Sequence, residues 1–114
     1  MDNCLFCKII YGQIPSNKVY EDEFTFAFRD INPVAPVHIL VIPKLHISGL
    51  TEINHENSDV IIQITETARK ICKIEGLESD GFRYVINSGK YGGQTVFHLH
   101  LHLLGGRKLN WPPG

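Results

Sequence analysis

Apolar and polar positions change their period several times along the 114 residues, and each change marks an element. From Cys4 to Ile10 the apolar residues Leu5, Phe6, Ile9 and Ile10 have helical spacing, with Asp2 or Asn3 available as a cap and Gly12 as a stop. Lys18–Glu21 and Phe24–Arg29 read as two short strands joined at Asp22-Glu23. Asn32-Pro33 and Ala35-Pro36 then form a loop, because each proline steers its predecessor away from the helical region. His38–Ile42 is a β-branched run ended by Pro43, a third strand. Between Asn57 and Glu75, Val60, Ile61, Ile64, Ala68, Ile71 and Cys72 share one helical face, with Ser58 or Asn57 as cap and Gly76 as stop. Phe82–Asn87 gives a fourth strand and Thr95–Leu104 a fifth, the longest. The closing Asn110-Trp111-Pro112-Pro113-Gly114 suits neither a helix nor a central strand. The pattern predicts an α+β fold: an antiparallel five-stranded sheet packed on one long helix, with a short N-terminal helix. No linker, repeat or low-complexity tract divides the chain, so residues 1–114 are read as a single domain.

Charge narrows the choice of partners. Eleven Lys and Arg are balanced by twelve Asp and Glu, and no basic run exists, which argues against nucleic acid. No apolar stretch approaches a membrane span, and Met1-Asp2-Asn3-Cys4 lacks the basic head and apolar core of a signal peptide. Three cysteines, an odd number, fit a reducing compartment, so the chain is expected to be cytoplasmic.

Six histidines are the anomaly, and three fall at 98, 100 and 102. On a strand these side chains share one face with Val96 and Leu104, while Phe97, Leu99, Leu101 and Leu103 occupy the other. Sheet propensity does not ask for three such histidines, so the pattern points to chemistry. One ion cannot take all three, since His98 and His102 would lie ~13 Å apart on an extended strand, although neighbours two apart still could share one. The other reading makes an imidazole the nucleophile toward an acyl or phosphoryl centre, with His100 favoured by its middle position.

His98-Leu99-His100-Leu101-His102-Leu103-Leu104 matches the His-x-His-x-His-x-x signature, with apolar x, of the histidine triad nucleotide-binding proteins. The tail Gly105-Gly106-Arg107-Lys108-Leu109-Asn110-Trp111-Pro112-Pro113-Gly114 resembles that of the Hint branch. Asp30-Ile31, Val41-Ile42-Pro43-Lys44, His46-Ile47 and Gly92-Gly93-Gln94 extend the likeness over nearly the whole chain. The resemblance implies a homodimer with sheets joined across the interface, binding purine nucleoside monophosphates. It also implies hydrolysis of AMP or GMP phosphoramidates through a nucleotidyl-histidine, with no cofactor needed for the chemistry. On that pattern His100 is the nucleophile, His102 contacts the phosphate or leaving group, and His38 joins the phosphate shell. Gly93, Gln94 and Thr95 resemble a phosphate loop of backbone amides and a hydroxyl, with Thr95 standing where Hint proteins commonly carry Ser. Asp30 resembles a carboxylate that takes the ribose hydroxyls, and its residue type equally suits a turn cap ahead of Asn32-Pro33. Leu5, Phe6, Phe28 and Ile31 resemble a slot for the base, although core packing explains each as well. Asn87 is similar to a family residue near ribose and phosphate. The tail, residues 104–114 with Trp111, is expected to approach the partner's active site.

Cys4-Leu5-Phe6-Cys7 is a C-x-x-C pair at a helix start. With His46 and His98 it makes a Cys₂His₂ set suited to structural zinc, as several bacterial members of the wider family resemble; a redox pair and plain buried thiols are the alternatives. Two other functions stay open: a Fhit-like dinucleoside polyphosphate hydrolase, and a non-catalytic domain that binds purine nucleotides or partner proteins.

Overall fold

A computed structural model describes residues 3–114. Helix α1 (Leu5–Ile10) is followed by strands β1 (Lys18–Glu21), β2 (Thr25–Arg29) and β3 (Val37–Pro43), helix α2 (Asp59–Ile74), strand β4 (Phe82–Val85), a single helical turn α3 (Gly89–Gly92) and strand β5 (Leu101–Gly105). The strands form one antiparallel sheet in the order β1-β2-β3-β5-β4. The α+β architecture is the expected one, and among the described residues no helix is long and apolar enough to cross a membrane.

Alternation along the two central strands builds both faces. Ile39 and Val41 of β3, with Leu101 and Leu103 of β5, pack under Val60, Ile64, Ala68 and Ile71 of α2, all buried. Leu40 and Ile42 look the other way, to Phe26, Phe28 and the α1 residues Phe6 and Ile9. Burying a Leu or Ile side chain stabilises by roughly 1.5–3 kcal/mol, so the α2 side carries most of the hydrophobic stabilisation. Thr25 and Thr67 share a 2.8 Å hydroxyl hydrogen bond inside that layer, so neither buried oxygen is left unpaired.

Four local expectations change. The predicted cap Asp2 lies outside the described residues; α1 is instead capped by Cys4, whose Sγ accepts from the Cys7 amide at 3.4 Å. For α2, Ser58 makes no side-chain capping bond, and Asn57 spends its amide on Asn54 and Glu52 in the preceding loop. The predicted fifth strand begins at Leu101 rather than Thr95, because β3 pairing ends at Val41↔Leu101 and β4 pairing ends at Val85↔His102. Among the described residues nothing continues the ladder beyond those pairs, and residues 95–100 run as irregular chain across the sheet end. The fourth strand likewise stops at Val85 instead of Asn87.

Candidate active site

The bare stretch before β5 is where the chemistry gathers. His98 is fully buried, and its Nε2 lies 2.8 Å from the Pro43 carbonyl. A carbonyl only accepts, so Nε2 carries the ring proton and Nδ1 is bare. The Leu99 amide donates to the Ile47 carbonyl, seating this stretch against the loop that carries His46. His98 Nδ1 consequently faces Cys4 Sγ at 3.4 Å, Cys7 Sγ at 3.6 Å and His46 Nδ1 at 3.1 Å.

These four side chains place one donor atom each within 4.8 Å of one another. Two sulfurs and a bare imidazole nitrogen pointing at a common centre, held by a second-shell carbonyl, fit a tetrahedral metal ion. Burial, reinforced by Cys4, pushes the Cys7 thiol up to about 11, which a bound cation would reverse. All four residues were legible as a set in the sequence.

Asp30, His38 and His102 also approach one another closely. Here the protons argue against a metal. His38 Nδ1 accepts from the Val34 amide at 3.1 Å, so its other nitrogen, Nε2, holds the proton and has no lone pair for an ion. That Nε2–H donates to His102 Nδ1 at 2.9 Å, leaving the remaining proton of His102 on its Nε2.

His100 completes the row. Its Nδ1 lies 2.8 Å from the His98 carbonyl, so Nδ1–H donates and Nε2 keeps its lone pair. Burial pushes the ring below the ordinary imidazole range, against the opposing pull of the His98 carbonyl and Asp30. A neutral imidazole of fixed tautomer with a bare Nε2 is what nucleophilic attack requires. The edges of Phe6 and of the His102 ring hold it in place, with centroids 5.1 and 5.0 Å away.

A cleft of about 340 Å³ opens beside His100 and His102. Leu5, Phe6, Phe28, Asp30, Ile31 and Thr95, all singled out in the sequence, line it. Ile9, Ile14, Pro15, Asn32, Leu40 and Val96 line it as well and were missed. Leu40 and Val96 carried a signal, since each sits two residues from a chemically marked neighbour on the same face. A larger hollow of about 460 Å³ near Val37, Leu77 and Arg107 holds no histidine or thiol, and the cleft is the better site despite its size.

Several expected residues stand elsewhere. His38 lies buried behind His102 and orients it, outside the cleft lining. The loop before the triad was expected to expose its amides. In fact Gly89 N donates to Gln94 Oε1, Gly93 N to Lys90 O and Gln94 N to Gly89 O. The Gln94 amide group also donates to Ser48 O and Val96 O, so this residue straps the loop down. Asn87 stands beside Gly93, and neither these two nor Gln94 lines the cleft. Asp30 serves as the turn cap after all: Oδ1 accepts from the Asn32 amide at 2.8 Å, while the carboxylate also borders the cleft. Trp111 is 80% exposed and outside the cleft of its own chain.

Burial, then neighbouring His100 and His38, pushes His102 down to about 4. An unfolded histidine titrates near 6.5, so between those values the unfolded chain binds the extra proton and the folded chain does not. Folding stability therefore falls as pH drops through this window. Urea unfolding of wild type and His102→Gln at pH 7 and 4.5 is expected to show a decline smaller in the variant by on the order of 1 kcal/mol, discounted for partial exposure. Equal declines would show that His102 is not held neutral.

The HIT domain profile matches residues 11–109. The 14 kDa zinc-binding protein of Zea mays is 52% identical over 112 residues, spanning 96% of this chain and 87% of its own. The purine nucleoside phosphoramidase of Escherichia coli K12 is 44% identical over 108 residues, spanning 95% and 91%. The crystal structure of a HIT family hydrolase from Legionella pneumophila Philadelphia 1 superposes with a TM-score of 0.96 at 51% identity, covering 98% of this chain and all of that one.

Proposed function

The chain belongs to the HIT family, and on that premise we propose that it hydrolyses purine nucleoside 5′-monophosphate phosphoramidates through a nucleotidyl-His100 intermediate. The observation that carries this reading is the bare Nε2 of His100, fixed by the His98 carbonyl, at the wall of a cleft with an apolar half and a carboxylate. The base lies against Leu5, Phe6, Phe28 and Ile31, and the sugar beside Asp30. Thr95 and His102 bring donors to the phosphate, His102 through Nε2–H. The His100 lone pair attacks the α-phosphorus and a P–N bond to the ring forms. The leaving nitrogen breaks away as an amine after taking a proton from solvent. Water, losing a proton, then cleaves the ring P–N bond and releases the nucleotide. The name of the Escherichia coli relative supports this substrate class.

Zinc at Cys4, Cys7, His46 and His98 pins α1 to the sheet end and so holds one wall of the cleft; the donor set and the name of the maize relative support that metal. The domain works as a homodimer. Strand β4 is paired on one side by β5 and lies at the sheet edge, where a second copy extends the sheet. The exposed Trp111 tail then reaches the partner's cleft.

Rapid quenching after mixing with an AMP phosphoramidate, followed by peptide mass spectrometry, is expected to find one adenylyl group on the peptide containing His100. Turnover with no adduct at any quench time, or an adduct on another residue, overturns the intermediate.

A further inference from the structure

Cys4 and Cys7 face one centre but differ in access. Cys4 is half-buried at the start of α1, and its Sγ accepts from the Cys7 amide at 3.4 Å. Cys7, one turn further along, is 4% exposed. Their sulfurs lie within 4.8 Å of each other. Side chains three apart on a helical turn are neighbours, so a local adjustment of the helix start brings this pair to disulfide distance. Cys72, the third thiol, is fully buried on α2 and outside the cluster.

The two ways of joining these sulfurs hold different parts of the fold. Through an ion shared with His46 and His98, the thiols tie α1 to residues far along the chain: His46 is 39 positions from Cys7, and His98 is 94 from Cys4. A link of that span fixes the helix on the sheet end and constrains the unfolded chain. A bond between Cys4 and Cys7 spans three positions and ties α1 only to itself. Disulfide sulfurs also lack the thiolate charge that a cation requires, so the two states exclude each other. In the oxidised state α1 meets the sheet chiefly through Phe6 and Ile9. These two line the nucleotide cleft with Leu5, and the Phe6 ring stands 5.1 Å from that of His100.

We propose that Cys4 and Cys7 form a modification site for low-molecular-weight disulfides, and that its oxidation expels the metal and loosens α1 from the cleft. Cys4, the accessible thiol, attacks the reagent as its thiolate. The reagent's S–S bond breaks, one thiolate leaves, and a mixed disulfide forms on Cys4. Cys7 Sγ then attacks Cys4 Sγ, the mixed bond breaks and the second thiolate leaves. Two electrons pass from the cysteine sulfurs to the reagent, and both departing thiolates take up protons from solvent. Burial shields Cys7 from the reagent while leaving it beside Cys4, so the exchange ends in an intrachain bond. This inference rests on the zinc reading above, to which it adds a reversible chemical step that empties the site.

The test treats the zinc-loaded full chain with excess glutathione disulfide. Stoichiometric zinc release, read with a metallochromic dye, is expected together with a Cys4–Cys7 bond and an unmodified Cys72 in peptide mass spectra. Hydrogen exchange is expected to rise in residues 5–10 and not in α2. The Kd for AMP is expected to rise about tenfold, the order of one apolar side chain's burial. Dithiothreitol with added zinc should reverse each change. In Cys7→Ser the reaction should stop at glutathione on Cys4, trapping the first step. Zinc retained in the presence of the reagent, glutathione persisting on Cys4 in wild type, or a bond to Cys72 overturns the site. Unchanged exchange in residues 5–10 overturns the loosening of α1. Protein that carries no zinc before oxidation overturns the metal reading and the release with it, while the disulfide and the exchange still decide the dithiol. Reduced protein that does not bind AMP removes the nucleotide reading, and zinc release and exchange still decide the site.

Discussion

His100→Asn is expected to lower kcat for an AMP phosphoramidate by at least ~10⁴-fold, about 5.5 kcal/mol of barrier, while AMP still binds. Asn is the informative replacement because it keeps a donor to face the His98 carbonyl and fills much of the space bounded by Phe6 and His102. What it lacks is the lone pair on Nε2, so the covalent route closes and only positioning remains. The base slot and Asp30 are untouched, and AMP affinity should change by no more than about tenfold, the worth of one hydrogen bond. Steady-state kinetics together with calorimetric titration of AMP separates the two effects. Unchanged turnover would leave the triad as a phosphate holder and favour the non-catalytic reading. A parallel collapse of AMP binding would mean that His100 serves the ground state.

Removing the metal is expected to have the largest effect on stability. Zinc at a free concentration a thousand times its Kd stabilises the fold by about 4 kcal/mol. For a domain of this size that corresponds to roughly 15–30 °C in Tm. Chelation, or the double substitution Cys4→Ser with Cys7→Ser, should therefore lower Tm by that order. It should also raise hydrogen exchange across residues 4–10 more than in α2, because α1 meets the sheet through Phe6 and Ile9 and through the two thiols. Loss of α1 removes Leu5, Phe6 and Ile9 from the cleft, so nucleotide affinity should fall with it. Metal analysis of untagged protein purified without added metal provides the direct check. Zinc near zero per chain, with Tm indifferent to chelator, would reduce Cys4, Cys7, His46 and His98 to a buried polar cluster.

Much of this was legible before any coordinates. The spacing in α2 placed its buried stripe, and alternation through β5 separated the histidines from the core residues Leu101 and Leu103. The same alternation survived in residues 98–103 although half of that stretch is not strand, because an extended backbone alternates whether or not it is paired. The ladder itself was overestimated at Thr95–His100, since pairing depends on where β3 and β4 end. The loop before the triad depends on the fold in a related way. Glycines in Gly89–Gln94 signalled a turn, yet whether its amides stay free depends on Gln94 reaching back to Gly89 and across to Ser48.

The sequence alone thus determined the residue types on each face, the α+β class and the roster of histidines and thiols, because local periodicity and chemistry are written along the chain. Tertiary structure decided which nitrogen of each imidazole is bare. Those protons answer to the Pro43 carbonyl for His98, the Val34 amide for His38 and the His98 carbonyl for His100. Pro43 reaches His98 because the unpaired residues before β5 run past the end of β3, a segment distant in sequence, whereas the partners of His38 and His100 lie four and two residues away and are placed by how the fold bends the chain there. A side chain's type is written in the chain, but the atom that fixes its proton is set by the backbone path, near or far in sequence, that the fold imposes around it.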